Sequence, residues 1–229
     1  DDHRAGRLGH RQAGADGGGH GFLDQEDPAR TRCLGRFLDG GVNVLERIDR
    51  DGRSDRFGIL GLALEAPQLA ELHRVLLQAG YTRSEIARPD TAEYRHWATE
   101  IPLARLPAMP FTAPTLAAVA VHAPAMAYRP YRSYVNVAHY GDMLFSHVDC
   151  VEGAGELTAL WYVCEHWDHE WGGETVFFDQ QRDVRAAVSP RPGRLVVFDG
   201  DILHAGRPPS RNCHAPRFTL AVKLERAAS

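Results

Sequence analysis

The chain has 229 residues, 44% hydrophobic and 24% charged, with a formal net charge of -4. That length suits one sizeable core or at most two small domains, and the mild acidity argues against non-specific nucleic-acid binding, which needs a clustered basic surface. No apolar run approaches the roughly 20 residues of a membrane span; the longest candidate, 113–127, is broken by Pro114, His122 and Pro124.

No charged-then-apolar leader pattern opens the sequence. Cys33, Cys150, Cys164 and Cys213 are scattered without a CxxC pair, so neither a disulfide framework nor a zinc finger is expected, and a reducing, cytoplasmic setting is the default. The sole lysine is Lys223, a bias read as one of coding rather than chemistry. Histidine, present twelve times, is the unusual component.

Residues 1–35 are rich in Gly, Arg, His and Asp and poor in large apolar side chains. Such a segment cannot bury enough surface to offset its ordering entropy, so it is expected to be mobile, with His3, His10 and His20 solvated. Residues 36–229 are expected to form one domain. Leu69, Leu72, Val75, Leu76 and Ala79 form a helical stripe over 67–79, with Pro67 in the first turn and Gly80 as the stop. A second, shorter helix is predicted over 91–98. Six prolines between 101 and 130 predict a mostly irregular stretch.

After Pro130 the texture changes to short β-type runs separated by Gly, Asp and Pro. They fall at 132–139, 143–147, 157–164, 174–178, 184–189, 194–198, 202–206 and 216–225. This spacing after a helical lead-in predicts a mainly β (α+β) chain, a sandwich or jelly roll with N-terminal helices buttressing one sheet.

Within the first run, Tyr134 and Asn136 share one face while Val135 and Val137 share the other. After the turn at Gly141–Asp142 comes His147-Val148-Asp149. On extended chain the imidazole and the carboxylate point the same way, and His204 follows the apolar run Arg194–Phe198. Two His and one carboxylate form the facial triad that holds non-haem Fe(II) and leaves positions open for a chelating co-substrate and O₂. The same ligands suit zinc, so a non-catalytic metal-binding jelly roll is the competing reading. His166-Trp167-Asp168 repeats the spacing but runs into Trp171-Gly172-Gly173, a strand connection. His139 is out of phase with Tyr134 and Asn136, and His122 and His214 belong to no ligand pattern.

In the last run Arg217, Thr219, Ala221 and Lys223 share a face opposite Phe218, Leu220, Val222 and Leu224. Arg inside a strand either faces water on an edge or meets an anion, and its fork suits a carboxylate. Thr219 can donate a hydroxyl to the same anion.

Taken in order, Asn136…Tyr140-Gly141, His147-Val148-Asp149, Trp171-Gly172-Gly173-Glu174-Thr175, Pro192-Gly193-Arg194-Leu195-Val196-Val197-Phe198, His204 and Arg217-Phe218-Thr219 carry a resemblance. Over about 130–225 the chain resembles the prolyl-4-hydroxylase-like branch of the iron(II)/2-oxoglutarate-dependent oxygenases. The resemblance implies a double-stranded β-helix, with His147, Asp149 and His204 binding iron. Arg217 would hold the distal carboxylate of 2-oxoglutarate, helped by Thr219. A tyrosine before the HxD strand usually contacts 2-oxoglutarate too; Ala138 occupies its common position, so Tyr134 is taken first, with Tyr140 and Asn136 beside it. Fe(II), 2-oxoglutarate and O₂ are the implied cofactor and co-substrates, with ascorbate optional.

The implied reaction hydroxylates an unactivated C–H bond and releases succinate and CO₂. Asp149 favours hydroxylation over halogenation, since halogenating relatives carry a small residue there. A small molecule or amino-acid-like substrate is expected, with peptidyl-prolyl hydroxylation as the alternative and no nucleic-acid or membrane partner. The repair-type oxygenases share the order of motifs, but the net charge gives them no support. Specificity is expected from 81–130 and from the loop 150–156. Cys150, Trp161, Tyr162 and Glu174 are read as packing or structural residues.

Overall fold

Sequence pattern becomes strand register in a computed structural model that describes residues 57–60 and 64–227. The segment 1–35, with its three histidines and Cys33, lies outside the described residues. In chain order the elements are β1 (Phe57–Leu60), α1 (Ala66–Leu77), β2 (Thr82–Glu85), β3 (His96–Glu100), α2 (Thr112–His122), β4 (Tyr128–Ala138) and β5 (Leu157–Tyr162). Then come β6 (Thr175–Phe178), β7 (Val184–Val188), β8 (Leu195–Asp199), β9 (His204–Gly206) and β10 (Arg217–Arg226).

The larger sheet runs β1-β8-β5-β10-β4-β3-β2 and the smaller β7-β6-β9, with every pairing antiparallel. This is the expected mainly β jelly roll. β10 is central and covered on both faces, so its first eight residues are all buried. Its apolar face, Phe218, Leu220, Val222 and Leu224, joins a core with Leu69, Leu72 and Leu76 of α1 and Ala118 and Val119 of α2. The helices thus buttress the outer face of the larger sheet. A second core of Tyr162, Phe177, Val188, Val196, Phe198 and Ile202 lies between the sheets, with the Phe177 and Phe198 rings 5.1 Å apart, edge to face.

Three local expectations are corrected. The helix predicted over 91–98 is instead a short 3-10 turn at Pro89–Thr91 followed by β3. Its backbone is recruited by β4, with Trp97 opposite Val137 and Glu100 opposite Tyr134, so sheet pairing overrides local preference. The stretch 101–130 is not mostly irregular, because α2 lies within it. Pro114 sits in the first turn, where its missing N–H has no intrahelical partner to lose, and Thr115, Ala118 and Val119 form the buried face. The run 143–147 is no continuous strand; it joins the smaller sheet through one bridge, His147 to His204.

Candidate metal centre and substrate cavity

The register of the larger sheet decides which side chains face the smaller one. Ala221 lies opposite Tyr134 on one side and Leu160 on the other, and Thr219 opposite Asn136 and Tyr162. Lys223 is likewise flanked by Arg132 and Thr158. Directly opposed residues share a face, so Tyr134, Asn136, Thr158, Leu160, Arg217, Thr219 and Lys223 all front the space between the sheets.

His147 and His204 are brought together by reciprocal backbone hydrogen bonds of 2.9 and 3.0 Å. Asp149 is set by its own N–H donating to the Gly200 carbonyl at 2.7 Å. Gly200 matters because a Cβ there would fall 2.9 Å from Cys150 Sγ. The imidazoles lie 4.5 Å apart, centroid to centroid. His147 Nε2 is 3.5 Å from Asp149 Oδ1 and His204 Nε2 is 3.7 Å from Oδ2.

One ligand atom from each of these residues falls within 4.8 Å of the others, the one such cluster of potential metal ligands among the described residues. Both rings are preset for a cation. His147 Nδ1 meets the Phe145 carbonyl at 3.1 Å and His204 Nδ1 the Ile202 carbonyl at 2.9 Å. A carbonyl only accepts, so each Nδ1 carries the proton and each Nε2 presents a lone pair. Burial lowers the His204 pKa to about 4, which keeps that ring neutral near pH 7. Two imidazoles and a carboxylate are a donor set that fits Fe(II).

His166 packs edge-on against Trp171, and Asp168 accepts from the Glu170 N–H to cap a 3-10 turn. They are set apart from the cluster, as the sequence reading expected. His139 and His214 are exposed, and His122 is buried 3.4 Å from Asp199.

At the far end of the cavity Arg217 is buried at 4% exposure. Its Nε donates to the Gly173 carbonyl at 2.5 Å, one terminal nitrogen donates to Thr175 Oγ1 at 3.1 Å, and the guanidinium lies 5.5 Å from the Tyr162 ring centre. Among the described residues no carboxylate forms an ion pair with it. A buried cation held only by neutral acceptors is a site for an anion. Thr219, buried, stands on the same wall.

Tyr134 and Asn136 line the cavity, but Tyr140 does not: it is 62% exposed and absent from the lining, because β4 ends at Ala138 and Tyr140 lies in the turn from His139 to Asp142. The structure therefore does not bring Tyr140 to the site, a correction to its pairing with 2-oxoglutarate. Trp161 is core, donating to Thr115 Oγ1 at 2.9 Å. Tyr162 is core as read from sequence, and its ring also lies 5.5 Å from the Arg217 guanidinium, with its hydroxyl donating to Thr175 Oγ1 or the Val188 carbonyl, at 2.7 and 2.9 Å.

Several functional residues escaped the sequence reading. Lys223 is buried and pairs with Asp149, and it also donates to Thr158 Oγ1 at 3.1 Å; that hydroxyl reaches Asp149 Oδ2 at 2.6 Å. Burial disfavours the charge on both partners, yet the pair stays ionised. Lys223, with His204 and His147, holds the Asp149 carboxyl well below the ordinary range, while Tyr134 and Asp149 raise Lys223. The placement of Lys223 in phase with Arg217 and Thr219 was the available signal. Thr175 was visible only as part of the Gly-Gly-Glu-Thr block, and His96 of β3 left no signal at all.

The cavity has two connected chambers. The inner, about 70 Å³, extends from the metal ligands to Arg217, Thr175 and Thr219. The outer, about 220 Å³, extends from the same ligands to Glu85, Ile86, Tyr131 and Arg132 at the rim. Both share His96, Tyr134, Asn136, His147, Asp149 and Lys223.

A family model, that of the 2OG-Fe(II) oxygenase superfamily, matches residues 135–222, which span every ligand and Arg217. Over those residues the chain is similar to this superfamily. That family is one of enzymes that use Fe(II), 2-oxoglutarate and O₂, and His147, Asp149 and His204 stand together as a group that could hold a metal ion.

Solved structures of similar fold include a Pseudomonas putida prolyl-4-hydroxylase (TM-score 0.54, 17% identity, covering 76% of this chain and 94% of that one). The viral collagen prolyl hydroxylase of Paramecium bursaria Chlorella virus-1 gives a TM-score of 0.55 at 17% identity, covering 82% and 100%. The α-ketoglutarate-dependent epimerase SnoN of nogalamycin biosynthesis gives 0.54 at 16%, covering 74% and 77%. At such identities the likeness is one of fold. No curated protein matches the chain.

Proposed function

We propose that this oxygenase hydroxylates an unactivated C–H bond of a small or amino-acid-like molecule, with 2-oxoglutarate converted to succinate and CO₂. The observation that carries this reading is the buried Arg217, which lines the same inner chamber as the metal ligands and has no carboxylate of its own. Arg217 would bind the distal carboxylate of 2-oxoglutarate, with Thr219 as a second donor, and Tyr162 and Thr175 keep the guanidinium in place. Iron, when bound by His147, Asp149 and His204, supplies the activation of O₂ that the chemistry requires.

The chain's own residues position and shield. The Phe145 and Ile202 carbonyls fix the tautomers of the two imidazoles. Lys223 and Thr158 hold Asp149 Oδ2, which leaves Oδ1 as the freer ligand atom. Phe198, Leu160 and Tyr134 give the inner chamber part of its apolar wall.

The substrate is assigned to the outer chamber, the larger of the two. Glu85, Ile86, Ala87 and His96 come from the segment expected to set specificity, whereas the loop 150–156 contributes no lining residue. A chamber of about 220 Å³ favours a small molecule over an extended peptide. A reducing, cytoplasmic setting is part of the same proposal, supported by free thiols at Cys150, Cys164 and Cys213.

The test is anaerobic addition of Fe(II) and 2-oxoglutarate, followed by a screen for substrate-stimulated succinate formation with mass detection of one added oxygen. A visible charge-transfer band and oxygen gain are expected; absence of the band would sink the oxygenase reading.

A further inference from the structure

Two buried acceptor atoms lack any hydrogen-bond partner, His96 Nε2 and Asn136 Oδ1. Both residues line the junction of the two chambers, beside the metal ligands His147 and Asp149. They reach it from neighbouring strands, His96 from the start of β3 and Asn136 from β4.

The chemistry of His96 fixes what it can bind. Burial lowers its pKa, so the ring is neutral near pH 7, and a hydrogen bond to the Met143 backbone favours its protonated form. That bond runs from Nδ1–H to a carbonyl, because Nε2 is the unpartnered nitrogen. A neutral imidazole protonated on Nδ1 offers only a lone pair at Nε2. At the junction these two acceptors go without a donor, and buried acceptors left unpaired are costly. Glu85, in the wall of the outer chamber, is ion-paired with Arg132 of the same wall.

We propose that the outer chamber is a subsite for a substrate bearing a hydrogen-bond donor, a hydroxyl, amine or ammonium, which His96 Nε2 and Asn136 Oδ1 accept. The inference rests on the oxygenase reading for the word substrate and names the chemical class that reading left open. Two unpartnered acceptors disfavour a carboxylate, which distinguishes this junction from the Arg217 end. The cavity is therefore graded: an anion is drawn to the inner end, and a donor-bearing group to the outer.

The test uses the full chain and ligand-observed NMR with size-matched probes, 1-amino-2-propanol and 1,2-propanediol against propionate. The two donors are expected to bind and propionate to bind more weakly. His96→Phe should weaken donor binding at least five-fold, and His96→Gln, which can offer an oxygen, should restore it to within two-fold. Binding of 2-oxoglutarate to the Zn(II)-loaded chain should stay within two-fold of wild type in His96→Phe. Propionate binding as tightly as the donors, no donor binding to the wild type, or unchanged donor binding in His96→Phe overturns the proposal. Failure of the wild type to bind 2-oxoglutarate, with His96-dependent donor binding intact, overturns the oxygenase reading and supports the subsite.

Discussion

Arg217 and Lys223 stand on the same face of the same strand, both buried, yet they are opposites electrostatically. Lys223 has a carboxylate, Asp149, and a hydroxyl, Thr158. Arg217 has a carbonyl, a hydroxyl and the face of a tyrosine. The paired cation completes a neutral network and orients a metal ligand, whereas the unpaired one waits for charge from outside. Burial alone does not separate a binding residue from a structural one. The balance of partners does.

The comparison would be broken most completely by removing the feature both cations face. His147→Ala or His204→Ala is expected to cost at least a hundredfold in Fe(II) affinity, measured by anaerobic titration, while His166→Ala leaves it unchanged. Loss of metal in His166→Ala would place the site at the wrong HxD.

Next in size is Arg217→Met. Truncating one partner of a buried charged contact costs about 2–5 kcal/mol, so the 2-oxoglutarate requirement should rise roughly a hundredfold with metal affinity spared. Because Arg217 has no counter-ion to abandon, its removal should cost little stability.

Lys223→Met should do the reverse. It strands Asp149 as a buried, unpaired carboxylate, a loss of about 3–5 kcal/mol in the metal-free protein, read by denaturant unfolding. Saturating divalent metal should recover more of this loss than it adds to wild type, since the metal takes over the carboxylate. Equal stability losses in the two variants would erase the distinction between the cations.

A smaller effect comes from pH. His204 falls from the ordinary 6.5 to about 4 in the folded state. Above 6.5 neither folded nor unfolded ring binds a proton, and its contribution is fully present. Between 6.5 and about 4 only the unfolded ring is protonated, so stability declines as pH falls, by about 3 kcal/mol in total. Asp149, depressed as an acid, adds its own loss below the ordinary carboxylate range. His204→Gln should flatten the stability profile between 6.5 and 4, and bound metal should shift the decline to lower pH. The smallest expectation is Tyr140→Phe, with 2-oxoglutarate dependence within two-fold of wild type.

Strand phase made much of the site legible in sequence. Alternation along β10 puts Arg217 and Thr219 on one face and Phe218 and Leu220 on the other, and both faces are buried as the pattern requires. His147, Asp149 and His204 were legible because metal chemistry limits which residues can converge. What was not legible depends on distant chain. β3 exists because β4 offers it an edge, and His96 reaches the cavity only through that pairing. The sequence placed Lys223 on the face of Arg217 and Thr219 but not its partner, because Asp149 is brought opposite by a turn and by Gly200, far apart in sequence.

The single bridge between His147 and His204 has a consequence for how the jelly roll is held shut. Segment 143–149 has no run of ladder bonds to fasten it to the smaller sheet, only that pair of backbone contacts and the grip of Gly200 on Asp149. A cation shared by the two imidazoles would cross-link the chain at this seam, tying its margin to β9 much as a disulfide closes a loop. Metal bound by these residues would then add to the hold of Lys223 and Thr158 on Asp149, and removal of metal is expected to loosen this line of the barrel.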